Sequence, residues 1–182
     1  MKNLVKILLL SFVLFVFGCS KSDIETQYAN QETRIESFLN AQLSANPESY
    51  TVSNGGVERL VLVEGSGAEL ESNGTVSFYW AGYVLNGNNL TSNNLFATNV
   101  EELATAAGLD TSDSAVYSIR TLDLSDTELI EGLQKGMKGV KGGQECIILF
   151  SGKYGYGNKS LGTIPANAAL AFHLWVESVS ND

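Results

Sequence analysis

The chain has 182 residues, 44% of them hydrophobic and 17% charged, and its formal net charge at neutral pH is −9. That length accommodates one domain with extensions. Nucleic acids are bound by clustered Lys and Arg, and the chain is acidic and has no basic cluster, so we expect no nucleic-acid partner.

Residues 1–18 have the pattern of a secretory signal. Lys2 and Lys6 precede an apolar run of eleven residues, which is shorter than the ~20 apolar residues that span a membrane. Val16-Phe17-Gly18-Cys19 resembles the bacterial lipobox, whose cysteine becomes the lipid-modified N-terminus; an ordinary signal peptide with a chance cysteine is the alternative. We therefore expect lipidation at Cys19 and a bacterial cell-envelope protein, anchored to the outer membrane and facing the periplasm or the cell surface.

A tether and a helix are predicted next. Residues 19–31 are largely polar and lack a periodic pattern, which predicts a tether between the lipid and the folded part. A helix is predicted over 32–47, because apolar residues recur on one face until Asn46-Pro47 ends the pattern: Ile35, Phe38, Leu39 and Leu43. A lone helix of this length is marginal in water, so we expect it to dock on a domain that spans 50–182.

The domain is predicted to be α+β with an antiparallel sheet. Alternating and apolar runs predict strands at 60–63, 76–85, 115–124, 145–151 and 169–179. Asn86-Gly87 predicts a tight hairpin after the second strand. Short helices are predicted over Val100–Ala107 and along a stripe that begins at Leu129 and Leu133. Helices and strands are mixed without regular alternation, which is typical of the α+β class.

The usual catalytic and metal-binding groups are missing. His173 is the only histidine, it is expected to be exposed, and no Ser-His-Asp or His-rich metal site can be assembled. With Cys19 lipidated, Cys146 has no disulfide partner and is expected to be a small buried apolar residue. The glycines between Gly132 and Gly143 lack the G-x-x-x-x-G-K-[ST] phosphate-loop pattern. We expect neither a metal nor a cofactor.

Four motifs in order resemble FKBP-type peptidyl-prolyl cis-trans isomerases. Leu129-Ile130-Glu131-Gly132-Leu133-Gln134-Lys135-Gly136 is similar to V-I-x-G-W-x-x-G, and Tyr154-Gly155-Tyr156-Gly157 to Y-A-Y-G. The segment from Gly162 to Phe172 is similar to G-x-I-P-x-x-x-x-L-x-F, and Trp80-Ala81-Gly82 stands in the place of Y-x-G. The resemblance implies an antiparallel half-barrel sheet wrapped around one short helix, with the early helix as an N-terminal extension.

The resemblance also implies a site. A tyrosine hydroxyl at Tyr156 and the backbone N–H of Ile130 are expected to hold carbonyls of the substrate. An apolar cleft is expected to bind the X-Pro segment, with these walls: Trp80, Leu90, Leu129, Leu133, Ile164 and Phe172. The implied partners are proline-containing or unfolded polypeptides, with contact to the membrane through the lipid.

Several positions depart from the family pattern. Leu133 replaces the tryptophan of the pocket floor, and Leu90-Thr91 is assigned to the phenylalanine-aspartate pair that follows the hairpin. The insert 93–124 leaves another aromatic of the family pattern without a clear equivalent, and Tyr117 is the candidate for it. The first hypothesis is therefore a folding enzyme of reduced activity acting on exported proteins. A non-catalytic, chaperone-like peptide-binding module is the second, and a lipid-anchored scaffold with a vestigial cleft the third.

Overall fold

The computed structural model describes residues 21–181; the signal segment and Cys19 lie outside them. The described helices are α1 (Lys21–Ala45), α2 (Glu101–Ala106) and α3 (Glu131–Met137). The strands are β1 (Tyr50–Asn54), β2 (Val57–Val63), β3 (Thr75–Val84), β4 (Leu95–Thr98), β5 (Arg120–Asp123), β6 (Glu145–Phe150) and β7 (Leu170–Ser180). Among these described helices, none combines the length and the apolar composition that crossing a membrane requires.

The strands form one antiparallel sheet in the order β1-β2-β6-β7-β3-β4. The outer edge of β3 is shared by two short strands: β4 pairs with Ala81–Tyr83, and β5 pairs with Thr75–Phe78. Helix α3 packs on the inner face of this sheet and α1 on the outer face. The predicted α+β class, the antiparallel sheet around a short helix and the N-terminal helical extension are all confirmed.

The glycines of α3 allow it to lie very close to the sheet. A Cβ at Gly132 would stand 2.5 Å from the ring of Phe150, and a Cβ at Gly136 would stand 2.2 Å from the side chain of Ile148. Both contacts are far shorter than van der Waals distance, so any larger residue would push the helix off β6. Helix–sheet packing therefore explains the glycines at 132 and 136.

Helix α1 covers the outer face of the sheet and is longer than predicted. Its buried residues Ile35, Phe38 and Leu39 join a cluster with strand residues such as Leu60 and Leu149. The helix begins at Lys21, so the described part of the predicted tether 19–31 is helical. The reason is that this stretch contains neither proline nor glycine, so a helix that is stabilised by docking further along continues back through it.

One prediction about the strands is wrong, and another is correct only in part. Asn86-Gly87 does not form a two-residue hairpin, because neither residue has the positive φ that such turns require; a longer loop leads to β4 and is held by Asn94, whose side chain donates to the Val84 carbonyl at 3.1 Å. The strand predicted over 115–124 is limited to β5. The residues before β5 form a short 3₁₀ turn, Ser114–Tyr117.

The only histidine is half-buried rather than exposed. His173 Nε2 lies 2.8 Å from Glu145 Oε1, and its ring stacks on Trp175 with centroids 4.0 Å apart. Burial lowers the pKa of His173, and the neighbouring Glu145 carboxylate partly opposes that effect. Cys146 is fully buried, as predicted, and burial raises the pKa of its thiol to about 12.

Candidate active site

An apolar cleft of about 400 Å³ opens on the inner side of the sheet, beside α3. Its volume lies in the range of small-ligand and peptide side-chain pockets. Strands β3, β4, β5 and β7, helix α3 with the loop before it, and the loop after β6 contribute the lining: Phe78, Trp80, Phe96, Arg120, Leu122, Asp126, Glu128, Leu129, Leu133, Tyr156, Phe172 and Leu174. The cleft therefore contains five of the eight predicted substrate-contacting residues.

Aromatic rings form one wall of the cleft around Phe172. The centroid of its ring lies 6.0 Å from that of Trp80, 5.7 Å from Phe96 and 5.9 Å from Phe150. Strand register places these groups together, because Trp80 pairs with Leu174, two residues along β7 from Phe172. Trp80 is also fixed through its backbone, since its N–H donates to Asn99 Oδ1 at 2.6 Å and its carbonyl accepts from Thr98 Oγ1 at 2.6 Å.

Phe96 is the aromatic residue that sequence reasoning missed. A Cβ at Gly82 would stand 2.4 Å from the Phe96 ring, so the glycine is what lets this ring lie flat across β3. Leu90, which was predicted to occupy this wall, instead packs with the outer cluster beneath α1. The error follows from placing the motif directly after Asn86-Gly87, whereas the real loop runs on to β4. The ring is thus present at Phe96, and Ala97 follows it where the family pattern has aspartate.

Two hydrogen-bond donors are unpaired in or beside the cleft: the hydroxyl of the lining residue Tyr156, and the N–H of Ile130, which is not itself a lining residue but follows the lining residue Leu129. Ile130 caps the start of α3, and its carbonyl accepts from the N–H groups of Leu133 and Gln134. Within residues 21–181, neither the Ile130 N–H nor the Tyr156 hydroxyl has a hydrogen-bond acceptor. Tyr156 is half-buried, and burial raises the pKa of its hydroxyl, which keeps the proton that it would donate.

The loop that carries Tyr156 is held from outside by α1. The Gly152 N–H donates to Gln31 Oε1 at 2.9 Å, and Gln31 Nε2 donates to the Asn167 carbonyl at 2.6 Å. Gly157, next to Tyr156, bonds to both ends of the loop: its N–H donates to the Gly152 carbonyl and its carbonyl accepts from the Asn167 N–H. The N-terminal helix therefore contributes to the geometry of the cleft.

Two further predicted positions differ in the structure. Ile164 does not line the cleft; its side chain is 4% exposed and packs within the inner core. Tyr117 is also outside the cleft, and its hydroxyl donates to the Asp110 carbonyl at 2.8 Å. The assignment of Tyr117 is therefore wrong, and the residue that pairs with Phe78 on β5 and lines the cleft is Arg120.

A larger concavity of about 780 Å³ lies elsewhere, but its chemistry differs from that of the cleft. It is bordered by charged and polar residues that include Glu69, Lys138 and Lys141. Arg59 is buried at its base, where it donates to the Gly136 and Lys138 carbonyls and so caps the C-terminal end of α3. Such a polar surface is poorly suited to an apolar proline ring. Among residues 21–181, no group of three or more His, Cys, Asp or Glu side chains is arranged to hold a metal ion.

Comparison with known proteins agrees with this geometry. A family model described as FKBP-type peptidyl-prolyl cis-trans isomerase matches residues 67–177, more than half of the chain. FK506-binding protein 1 from Aspergillus oryzae is 27% identical over 119 residues, which cover 65% of this chain and 94% of that protein.

Two solved structures show the same fold. FkpA from Escherichia coli matches with a TM-score of 0.56 at 19% identity over 88% of this chain, which spans 64% of the FkpA chain. A peptidyl-prolyl cis-trans isomerase from Pseudomonas syringae pv. tomato matches with a TM-score of 0.57 at 18% identity, over 86% of this chain and 96% of that one. The chain belongs to the FKBP-type peptidyl-prolyl cis-trans isomerase family, and its isomerase class follows from that membership.

Proposed function

We propose that this protein isomerises X-Pro peptide bonds of exported polypeptides, which bind in the apolar cleft beside α3. One observation carries the proposal: an apolar, aromatic cleft is lined by Tyr156, whose hydroxyl has no acceptor in the described part of the chain, and the equally unpaired N–H of Ile130 follows directly after the lining residue Leu129. An X-Pro segment offers the matching groups, namely an apolar ring and backbone carbonyls without a donor on the proline nitrogen.

The cleft suits prolyl isomerisation because this reaction needs neither an acid nor a base. Its barrier is the amide resonance of the X-Pro bond, about 18–20 kcal/mol. Water stabilises the planar, polar amide, so a bond held between Trp80, Leu133 and Phe172 loses that stabilisation and twists more easily. The two donors then orient the flanking carbonyls while the bond rotates.

A peptide-binding module with little catalysis is the second candidate. Two positions favour it: Leu133 provides a smaller floor than the family's tryptophan, and Ala97 removes the carboxylate that follows the aromatic. Both substitutions preserve an apolar groove that binds a proline ring, and both reduce how tightly the twisted bond is surrounded. We therefore place this protein among the slower members of its family.

We further propose that the mature chain is anchored in the bacterial cell envelope through a lipid on Cys19. The sequence pattern Val16-Phe17-Gly18-Cys19 supports this proposal, and polar residues follow directly after the cysteine. Intact-mass analysis of the protein purified from membranes tests it: a diacylglyceryl and acyl modification that is lost in Cys19→Ser is expected. A free thiol on a mature chain that begins at Cys19 would contradict it.

The isomerase proposal is tested by refolding a denatured protein whose slow phase is limited by prolyl isomerisation. Mature chain that carries Cys19→Ser is expected to accelerate this phase, and Tyr156→Phe is expected to reduce the acceleration by up to about tenfold, since one neutral hydrogen bond is worth about 0.5–1.5 kcal/mol. Tyr154→Phe is the matched control, because Tyr154 lies two residues away and outside the cleft lining. Binding of unfolded chains without acceleration would favour the module.

A further inference from the structure

The cleft is largely apolar, and its lining includes three charged side chains. Arg120 stands at the start of β5, and Asp126 and Glu128 lie in the loop that follows this strand. All three are exposed, and within residues 21–181 none of them has an ion-pair partner. The one polar contact among them is the Glu128 N–H, which donates to Asp126 Oδ1 at 2.9 Å.

The two signs of charge come from different elements of the cleft rim, β5 and the loop before α3. From Arg120 to Asp123 the chain is extended strand, which covers about 10 Å at ~3.3 Å per residue. A turn that closes from the Asp126 N–H to the Asp123 carbonyl then leads to the acidic pair and on to Leu129 and Ile130. The rim therefore has its positive charge at the start of β5 and its negative charges in the loop that leads into α3.

We propose that the cleft selects proline sites flanked by opposite charges, with the acidic residue of the substrate at Arg120 and the basic residue at Asp126 and Glu128. The proposal rests on the cleft being the substrate site and adds the class of substrate. Because the charges differ along the cleft, they discriminate between the two directions of a peptide, which the overall charge of −9 does not.

Two peptides of equal composition and equal net charge test the proposal: acetyl-Ala-Glu-Pro-Lys-Ala-amide and acetyl-Ala-Lys-Pro-Glu-Ala-amide. A third, neutral peptide carries Leu at both flanking positions. Binding to mature chain with Cys19→Ser is followed by the fluorescence of Trp80, after Trp175→Phe removes the other tryptophan. One charged peptide is expected to bind about two- to twenty-five-fold more tightly than the other, since an exposed ion pair changes affinity by about 1.4- to 5-fold and the effects of two pairs multiply.

Arg120→Glu is expected to abolish or reverse this ratio, and 0.5 M salt to reduce it. The matched control is Lys21→Glu, which changes the net charge equally but is exposed on α1 and is not among the residues that line the cleft. Circular dichroism and urea unfolding establish that each variant is folded.

A ratio within twofold in the wild type, or a ratio that Arg120→Glu leaves unchanged, overturns the proposal. If the isomerase proposal is wrong, the result is different: all three peptides bind, but their cis–trans exchange is no faster than in buffer. The ratio of the two binding affinities then still tests the charge selectivity. If none of the three peptides binds, both the selectivity and the cleft as substrate site are wrong.

Discussion

Gln31 offers a direct test of the coupling between helix α1 and the cleft. Its side chain is 5% exposed and joins both ends of the loop that carries Tyr156, through the Gly152 N–H and the Asn167 carbonyl. Gln31→Leu keeps a similar volume but leaves these two backbone groups without their partner. An unsatisfied buried polar group costs about 1–3 kcal/mol, and the bond to the Asn167 carbonyl is only partly buried, so we expect the free energy of unfolding to fall by roughly 2–4 kcal/mol.

Urea denaturation measures this loss, and amide hydrogen exchange localises it. The Gly152 amide is expected to exchange faster in Gln31→Leu, together with a larger fractional loss of isomerase activity than of folded protein, because Tyr156 is no longer held in place. Gln27→Leu is the control, since Gln27 is exposed on the same helix and should change stability by less than about 0.5 kcal/mol. If both variants lose equally little stability, the two hydrogen bonds do not hold the loop and the reasoning is wrong.

Three more predictions concern single side chains. Phe172→Ala should lower stability by about 3–5 kcal/mol in urea unfolding, because a buried ring is lost from the middle of an aromatic cluster; a loss below 1 kcal/mol would contradict the packing. The pKa of His173 is lower in the folded chain than in the unfolded one, so the unfolded state takes up the proton first. The stability contribution from His173 is therefore fully present above about pH 6.5 and decreases as the pH falls towards the folded-state pKa; the decrease in urea midpoint from pH 7.5 to 5.5 should be smaller in His173→Gln. The Cys146 thiol should react with a thiol reagent only as fast as the chain unfolds, and rapid labelling of native protein would show that it is accessible.

Much of the fold could be predicted from local patterns. The apolar face that includes Ile35 and Phe38 defined a docked helix, and the strands that became β2, β3, β6 and β7 have strong alternating or continuous apolar runs. The first eleven residues of α1 could not be predicted in this way, because they have little apolar periodicity and are helical as an extension of the docked part. The prediction for residues 85–94 was wrong for a related reason. The long loop there is stabilised by hydrogen bonds of the Asn94 side chain, and the Asn-Gly pair alone gives no indication of them.

The cleft residues that belong to a motif of fixed spacing were predicted, and those that follow a loop of variable length were missed. Tyr156, Trp80 and Phe172 belong to motifs with fixed spacing, and the cleft contains all three. Phe96 and Arg120 lie beyond loops of a length that the sequence does not specify, so their approach to Phe172 depends on strand register. Gly82 was a usable signal, because a glycine within a strand suggests that another group approaches the backbone closely.

Exchange spectroscopy by NMR on a short proline peptide tests the central claim most directly, because it observes the cis and trans forms of the same bond without a coupled reaction. With a catalytic amount of mature chain that carries Cys19→Ser, exchange peaks between the two forms are expected within seconds, whereas the uncatalysed exchange takes tens to hundreds of seconds. Tyr156→Phe should weaken these peaks more than Tyr154→Phe. A peptide that binds in the cleft while its two forms exchange no faster than in buffer would contradict the account.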